Sequence, residues 1–209
     1  MKRHWKLMVL TSLVIVLPIL AGIFLWNQLP EQIPSHWNLA GAVDGWSSKP
    51  WAVFAMPLLL LALHWFAVFV TFADPKKKNH SEKILHLVFW LIPLLNAVLS
   101  AITYSTALGA AVQVELVVAV FMGLLFVIIG NYLPKCQQNY TVGIKIPWTL
   151  ASEENWNKTH RLAGRIWVIG GLFIALMGFL KLFWIMLPIP LIMALAPIVY
   201  SYLLHRKGI

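Results

Sequence analysis

The sequence predicts an all-α protein, a polytopic membrane bundle of about six transmembrane helices, and three observations support this prediction. Hydrophobic residues make up 60% and charged residues 11% of the 209 residues, whereas a soluble domain is roughly a quarter charged. Apolar runs of roughly 20 residues, the length that crosses about 30 Å of hydrocarbon, recur along most of the chain. The basic residues concentrate in alternate connecting segments, as they do in multi-pass membrane proteins.

The six spans are expected at residues 7–28, 51–72, 84–108, 112–133, 162–181 and 185–204 of a single membrane domain that covers residues 1–209. The first run follows a basic start, but it is longer than the apolar core of a signal peptide. No A-x-A cleavage site follows it, so we expect an uncleaved helix. The fifth and sixth spans are separated only weakly, by Lys181, Pro188 and Pro190.

The placement of lysine and arginine predicts that both termini face the cytoplasm. In that orientation all but two of the 16 Lys and Arg residues lie in cytoplasmic segments, and the exceptions are Lys49 and Lys181. The loop at residues 29–50 is then extracytoplasmic, and the loop at 134–161 is cytoplasmic. The net charge of +9 is assigned to loops that face anionic lipid. No direct nucleic-acid partner is expected, because the chain has no soluble basic domain to bind one.

Polar and small residues form stripes on three of the expected spans. The polar stripe on span three has helical spacing and consists of Asn96, Ser100 and Thr103. The small-residue stripes are Ala119 and Gly123 on span four, and Gly164, Gly171, Ala175 and Gly178 on span five. Such stripes favour close helix packing and hydrogen bonds between helices. A permeation path along the polar stripe is the alternative.

The extracytoplasmic loop is rich in turn-forming and aromatic residues. Its candidate binding residues are His36, Trp37, Asn38, Asp44 and Trp46. Asp44 and the following glycine are typical of a tight turn, and the tryptophans suit the headgroup level of a bilayer. A structural loop and an extracellular recognition surface are both compatible with this pattern. We expect no metal site, because His36 and Asp44 are too few ligands.

The longest polar stretch of the chain extends over residues 139–165, which we call the polar block. Its first part should be extended up to Pro147. Ser152, followed by two glutamates, is typical of a helix start. Trp156, His160 and Ala163 then recur with helical spacing, which predicts an amphipathic cytoplasmic helix before the fifth span. This segment is interpreted as an interfacial packing helix, a docking surface for a partner protein, or a catalytic site.

Ionisable groups inside the expected spans are few. His64 lies near the middle of span two, and a neutral histidine there is expected to bond to a neighbouring helix, with Asn96 as its candidate partner. No carboxylate occupies the middle of a span, which argues against a proton-driven pump. The sequence contains no H-E-x-x-H, G-x-S-x-G or phosphate-binding glycine motif. We therefore predict no catalytic residues, no cofactor and no enzymatic activity.

Two sequence motifs of the chain carry a resemblance to a known family. The first includes Asn131, Asn139, the run from Gly143 to Leu150, Trp156, and the run from Thr159 to Arg161. The second motif, L-P-x-x-I-P-x-H-W-N-x-x-G-x-x-D-G-W-x-x-K, is met without a gap from Leu29 to Lys49. Through these two motifs the chain resembles the SdpI family of bacterial membrane immunity proteins. That family usually shows G-I-R-x-P-W-T-L in the first motif, where Lys145 replaces the arginine.

The resemblance implies a multi-pass protein of the bacterial inner membrane that protects its cell against a secreted toxin peptide. It also implies that the toxin is sensed outside and that a cytoplasmic repressor docks inside, so the expected partners are the lipid bilayer, a toxin peptide and a repressor. A small membrane transporter or channel is the alternative. Besides the five residues of the extracytoplasmic loop, the candidate partner-binding residues are Asn131, Asn139, Lys145, Pro147, Trp148, Thr149, Trp156, His160 and Arg161.

Overall fold

The computed structural model describes residues 4–38 and 40–209. Its α-helices are α1 (Trp5–Phe24), α2 (Met56–Ala73), α3 (Glu82–Ala107), α4 (Val114–Tyr132), α5 (Pro147–Ala151), α6 (Glu153–Phe179) and α7 (Pro188–Arg206). A π-helical turn, Trp51–Ala55, leads into α2, and short 3-10 turns lie at Lys77–Asn79, Leu133–Lys135 and Phe183–Met186. Two strands, β1 (Gln32–Trp37) and β2 (Val43–Ser48), form one antiparallel hairpin.

Six helices in the described part of the chain are long and apolar enough to cross a membrane. They begin or end within a few residues of the predicted spans, with one exception. Helix α6 starts at Glu153 and continues unbroken to Phe179, so the predicted amphipathic helix and the fifth span are a single element. Large apolar side chains such as Phe66, Phe69 and Ile169 are exposed on these helices, as expected for surfaces that face lipid. The all-α polytopic prediction is confirmed.

The connection between α1 and α2 contains a hairpin with an irregular register. Pro34 pairs with Trp46 and His36 pairs with Gly45, so Ser35 is left without a partner in the register. A Cβ atom on Gly45 would lie 2.7 Å from the Cβ of His36, so only glycine fits at this position. The loop that the sequence predicts at residues 29–50 thus contains a hairpin, which the sequence pattern hides because prolines and glycines interrupt the period-two alternation that identifies strands.

The chain forms two compact units, each with its own packing. One unit comprises the described residues up to Phe72 together with His86–Val114, and the other comprises Ala73–Leu85 and Glu115–Ile209. In the first unit, one buried cluster contains Ile33, Val53 and Tyr104. In the second, a buried cluster contains Cys136 and Trp156.

Helices α4 and α6 of the second unit approach closely through glycines. A Cβ atom on Gly171 would lie 2.5 Å from the carbonyl oxygen of Gly123, and one on Gly130 would lie 2.9 Å from that of Gly164. The glycines in each helix are seven residues apart, so each pair recurs after two turns on the same face. The predicted role of the small-residue stripes in helix packing is confirmed.

Candidate functional site

The hairpin brings two of its predicted site residues into direct contact. His36 Nδ1 lies 2.5 Å from Asp44 Oδ1 across the two strands, and the side chains are 71% and 44% exposed. Asn38 has a different role, because its Oδ1 accepts the backbone N–H groups of Ala40 and Ala42 at 2.9 and 3.1 Å. It therefore shapes the turn between the strands. Trp46 is exposed, whereas Trp37 is half-buried.

Lys49 anchors the base of the hairpin and was not among the predicted site residues. Its side chain is nearly fully buried, and Nζ donates to the carbonyl oxygen of Trp26 at 3.2 Å and contacts Glu31 Oε1 at 2.8 Å. The ammonium group also lies 5.0 Å from the centroid of the Trp26 ring. A buried ammonium needs such partners. The signal for this residue was present in the sequence as the last position of the second motif.

A groove of about 100 Å³ lies between the hairpin and the helices of the same unit. Its walls come from both strands, from the start of the second span and from α3, and they carry tryptophan rings and small hydroxyl side chains. Ser100 and Thr103 of the polar stripe line this groove. The stripe thus contributes to a cavity beside the hairpin.

The two intramembrane polar residues bond to α1 and not to each other. Asn96 Nδ2 donates to the carbonyl oxygen of Ile15 at 2.9 Å, and His64 Nε2 lies 3.0 Å from Thr11 Oγ1. The predicted His64–Asn96 hydrogen bond is therefore wrong. The physical reason is that α1 offers each residue a nearer partner. Both side chains are at most 1% exposed.

Asn139 organises the beginning of the polar block. Its amide nitrogen donates to the carbonyl oxygens of Gln137 and Val142 at 2.8 and 2.9 Å, and its Oδ1 accepts the N–H groups of Thr141 and Val142 at 2.9 and 2.7 Å. The side chain is fully buried. These bonds to donors and acceptors on both sides fix the loop conformation, as asparagine often does in turns.

Asp74, at the end of the second span, is a functional candidate that sequence reasoning missed. Its Oδ2 accepts the N–H of Tyr140 at 2.9 Å and the hydroxyl of Thr141 at 3.0 Å, and its Oδ1 accepts the N–H of Lys76 at 2.7 Å. His80 Nε2 lies 3.4 Å from the same carboxylate. Burial by itself raises the pKa of Asp74, but these hydrogen bonds and His80 outweigh it and hold the pKa below its ordinary value.

Gln138 extends this network to α5. Its amide nitrogen donates to the carbonyl oxygens of Thr149 and Leu150 at 2.9 and 3.0 Å, and its Oε1 accepts from Lys76 Nζ. The side chain of Asn79 donates to the Gln138 carbonyl oxygen at 2.6 Å. The connection between α2 and α3 and the polar block are thus hydrogen-bonded into one surface.

Trp156 and His160 lie one helical turn apart and stack, with ring centroids 4.0 Å apart. His160 Nδ1 donates to the carbonyl oxygen of Trp156 at 2.8 Å, and its Nε2 accepts the N–H of Ile144 at 2.9 Å. Trp156 Nε1 donates to the carbonyl oxygen of Cys136 at 2.7 Å. Both ring nitrogens of His160 are engaged in structural bonds, so the ring is neutral and not placed for proton transfer.

The start of α5 is held by Thr149. The N–H of Ile146 donates to Thr149 Oγ1 at 3.1 Å, and that hydroxyl donates to the carbonyl oxygen of Ile144 at 2.8 Å. Pro147 occupies the first turn of the helix, where its missing N–H costs nothing. The ring of Trp148 stacks on His205 of α7, with centroids 6.0 Å apart.

The structure divides the predicted residues of this region into two groups. Asn139, Thr149, Trp156 and His160 are fully buried and belong to one hydrogen-bonded network. Asn131, Lys145, Pro147 and Arg161 are exposed, and Trp148 is half-buried. The predicted helix start at Ser152 is confirmed, because its hydroxyl accepts the N–H of Asn155 at 3.2 Å. Residues 4–38 and 40–209 contain no cluster of three His, Cys, Asp or Glu side chains that would hold a metal ion.

Comparison with known proteins matches the two motif regions separately. The SdpI/YfhL protein family matches residues 135–201, which include the whole polar block, α6 and most of α7. A domain of unknown function, DUF1648, matches residues 13–61, which include most of α1 and the hairpin. No solved structure matches the chain significantly.

One curated relative matches along nearly the whole chain. The protein is 28% identical over 204 residues to the immunity protein SdpI of Bacillus subtilis (strain 168), and the match covers 95% of this chain and 96% of that protein. The similarity therefore includes both motifs and all six candidate spans. The chain is a multi-pass cell-membrane protein, and its sequence is similar to the SdpI/YfhL family and to an immunity protein of that type.

Proposed function

We propose that this protein is a membrane immunity protein that protects its cell against a secreted toxin peptide. The observation that carries the proposal is its similarity to an immunity protein over 95% of its length. A match restricted to apolar spans would reflect membrane composition alone. This match includes a hairpin and a polar block whose side chains make specific hydrogen bonds.

The hairpin and the polar block act on opposite membrane faces in this proposal. Three spans, formed by α2, α3 and α4, separate the two regions along the chain, and an odd number of crossings reverses the side. The positive-inside distribution of lysine and arginine supports a cytoplasmic polar block. The hairpin then meets a toxin outside the cell, and the block meets proteins inside it.

The exposed residues of the polar block form the proposed docking surface for a cytoplasmic repressor. Lys145, Pro147 and Arg161 are exposed on a segment whose backbone is fixed by buried residues such as Thr149 and His160. A pre-organised surface loses little conformational entropy on binding. The test is membrane recruitment of a fluorescently tagged candidate repressor in toxin-treated cells. Recruitment should be lost with Lys145→Glu plus Arg161→Glu, and recruitment that survives both changes would contradict the docking surface.

The side-chain geometry favours this role over a channel or an enzyme. Asn96 of the polar stripe and the intramembrane residue His64 are both bonded to α1 and almost unexposed. His160, which lies in the segment for which a catalytic site is one interpretation, uses both ring nitrogens to hold the polar block. Each of these side chains therefore makes at least one structural hydrogen bond.

Protection can be measured directly in a toxin-sensitive bacterial host that lacks an SdpI-type protein. Cells that express the chain should survive a killing-peptide concentration that stops growth of cells with the empty vector. The matched control is an unrelated six-span protein expressed to the same membrane level. Equal sensitivity of all three strains would contradict the proposed function.

A further inference from the structure

We propose that the toxin peptide binds in the groove beside the hairpin, through an uncharged apolar segment, and not at the exposed His36–Asp44 pair. This inference rests on the proposed immunity function and identifies the site and the ligand chemistry. The groove is lined by Ser35, Trp37, Ser47, Trp51, Ser100 and Thr103, among others.

The groove lining contains no charged side chain, although the chain has a net charge of +9. A charged ligand segment would lose its hydration in this groove without gaining an ionic partner, which is unfavourable. Trp37 and Trp51 provide large apolar surfaces, and the serine and threonine hydroxyls provide hydrogen-bonding groups. This combination suits an apolar peptide whose backbone still needs donors and acceptors.

The irregularity at Ser35 gives the groove a backbone recognition element. The register passes from Pro34 to His36, so Ser35 has no partner on β2. Bulged residues leave the strand ladder and are common beside functional sites. Ser35 lines the groove and its side chain is exposed. An extended peptide segment therefore has an unpaired strand position with which to bond.

A second cavity in the same unit has a different lining, and comparing the two linings favours a peptide over a lipid chain as the occupant of the groove. This crevice of about 230 Å³ lies between α1 and α3 and is lined almost entirely by apolar side chains, including Val14, Leu17 and Ala101. A lipid chain suits the crevice, because its lining is almost entirely apolar. The groove, with its several hydroxyl groups, suits a lipid chain poorly and a peptide well.

The exposed His36–Asp44 pair is a weaker candidate for the primary contact. The two side chains satisfy each other across the hairpin, and both are accessible to water, where polar contacts contribute little net affinity. Their bond instead helps to fix the strand that carries Ser35. The pair is thus a positioning element for the groove.

The experiment compares two substitutions on one helix in the protection assay. Thr103 lines only the groove and Ala101 lines only the crevice, so Thr103→Leu and Ala101→Leu fill different cavities. At equal membrane abundance, cells with Thr103→Leu should survive only about one tenth of the toxin concentration that cells with the wild type survive. This tenfold change corresponds to about 1.4 kcal/mol of toxin-binding free energy. Ala101→Leu should protect as well as the wild type.

The possible results distinguish a failure of the groove site from a failure of the immunity function. Protection by the wild type and equally by Thr103→Leu would overturn the groove site while leaving the immunity function intact. Loss of protection in both variants would also overturn it, because the crevice or general packing would then be responsible. Failure of the wild type itself would refute the immunity function instead.

A binding readout supports the same test if Thr103→Leu accumulates poorly. Thr103→Cys is labelled with a membrane-impermeant maleimide in intact cells, with Ala101→Cys as the control, because the native Cys136 is buried. Purified killing peptide should slow labelling at position 103 several-fold and leave position 101 unchanged. No slowing at position 103, or equal slowing at both positions, would overturn the groove site.

Discussion

The Nε2 atom of His160 accepts the backbone N–H of Ile144 at 2.9 Å, and this bond fastens the segment before α5 to the first turns of α6. The ring is oriented by its own Nδ1 bond to Trp156 and by stacking on the Trp156 ring. The motif residues of the polar block thus act chiefly by holding one another, and they leave neighbouring exposed residues in fixed positions.

Replacing His160 should destabilise the second unit. His160→Ala leaves the partly buried N–H of Ile144 without its acceptor, and an unsatisfied buried group costs about 1–3 kcal/mol. The measurement is thermal unfolding of the purified protein in detergent, and the control is Arg161→Ala at the next, exposed position. A similar melting temperature for both variants would contradict the structural role of His160.

Gly143 should tolerate no side chain. Its φ of 119° is unfavourable for other residues, and a Cβ atom would lie 2.5 Å from His160 Nε2. Gly143→Ala should therefore unfold at a lower temperature than Gly109→Ala, where φ is 85° but no atom lies within 4 Å. Gly109→Ala, the control, should lose only the stability that a positive φ costs an alanine, about 1–2 kcal/mol. Equal losses would show that the contact with His160 is unimportant.

Asp74 should make stability depend on acid pH. Its pKa lies below the ordinary value of 3.8 in the folded protein, so the unfolded chain binds its proton first as the pH falls. The stability that Asp74 contributes is fully present above its ordinary pKa. It is lost as the pH falls from there through the folded pKa. Unfolding measured from pH 7 to pH 3 should show this loss in the wild type.

The matched variant for this prediction is Asp74→Asn, which cannot ionise. It should be less stable than the wild type at neutral pH by about 1–3 kcal/mol, because the carboxylate accepts several hydrogen bonds. The difference in unfolding free energy between the wild type and Asp74→Asn should become smaller as the pH falls. A difference that stays constant from pH 7 to pH 3 would contradict the assigned pKa direction.

Gly171 should be essential for the approach of α6 to α4. Gly171→Leu places a large side chain where even a Cβ would lie 2.5 Å from the carbonyl oxygen of Gly123, so the helices must separate. We expect a melting temperature at least several degrees lower, in line with overpacking costs of typically 1–3 kcal/mol. Leu172→Ala, at the adjacent exposed position, is the control. An unchanged melting temperature for Gly171→Leu would contradict the close packing.

Hydropathy and helical spacing predicted the spans and the buried face of α6, because these features depend on residues close in the sequence. The hairpin was missed, since Pro34 and Gly45 interrupt the strand pattern. The role of Asp74 could not be predicted from local patterns, because its partner Thr141 lies 67 residues away. The same limit explains the incorrect partner for His64, which is 53 residues from Thr11.

Immunity is tested most directly by the toxin dose–response of a sensitive host that expresses the intact chain. We predict that this strain grows at peptide concentrations that kill the empty-vector strain, with Gly143→Ala giving reduced protection in proportion to its lower abundance. If the expressing strain, with the chain verified in its membrane, dies at the same concentration as the empty-vector strain, the proposed immunity function is contradicted.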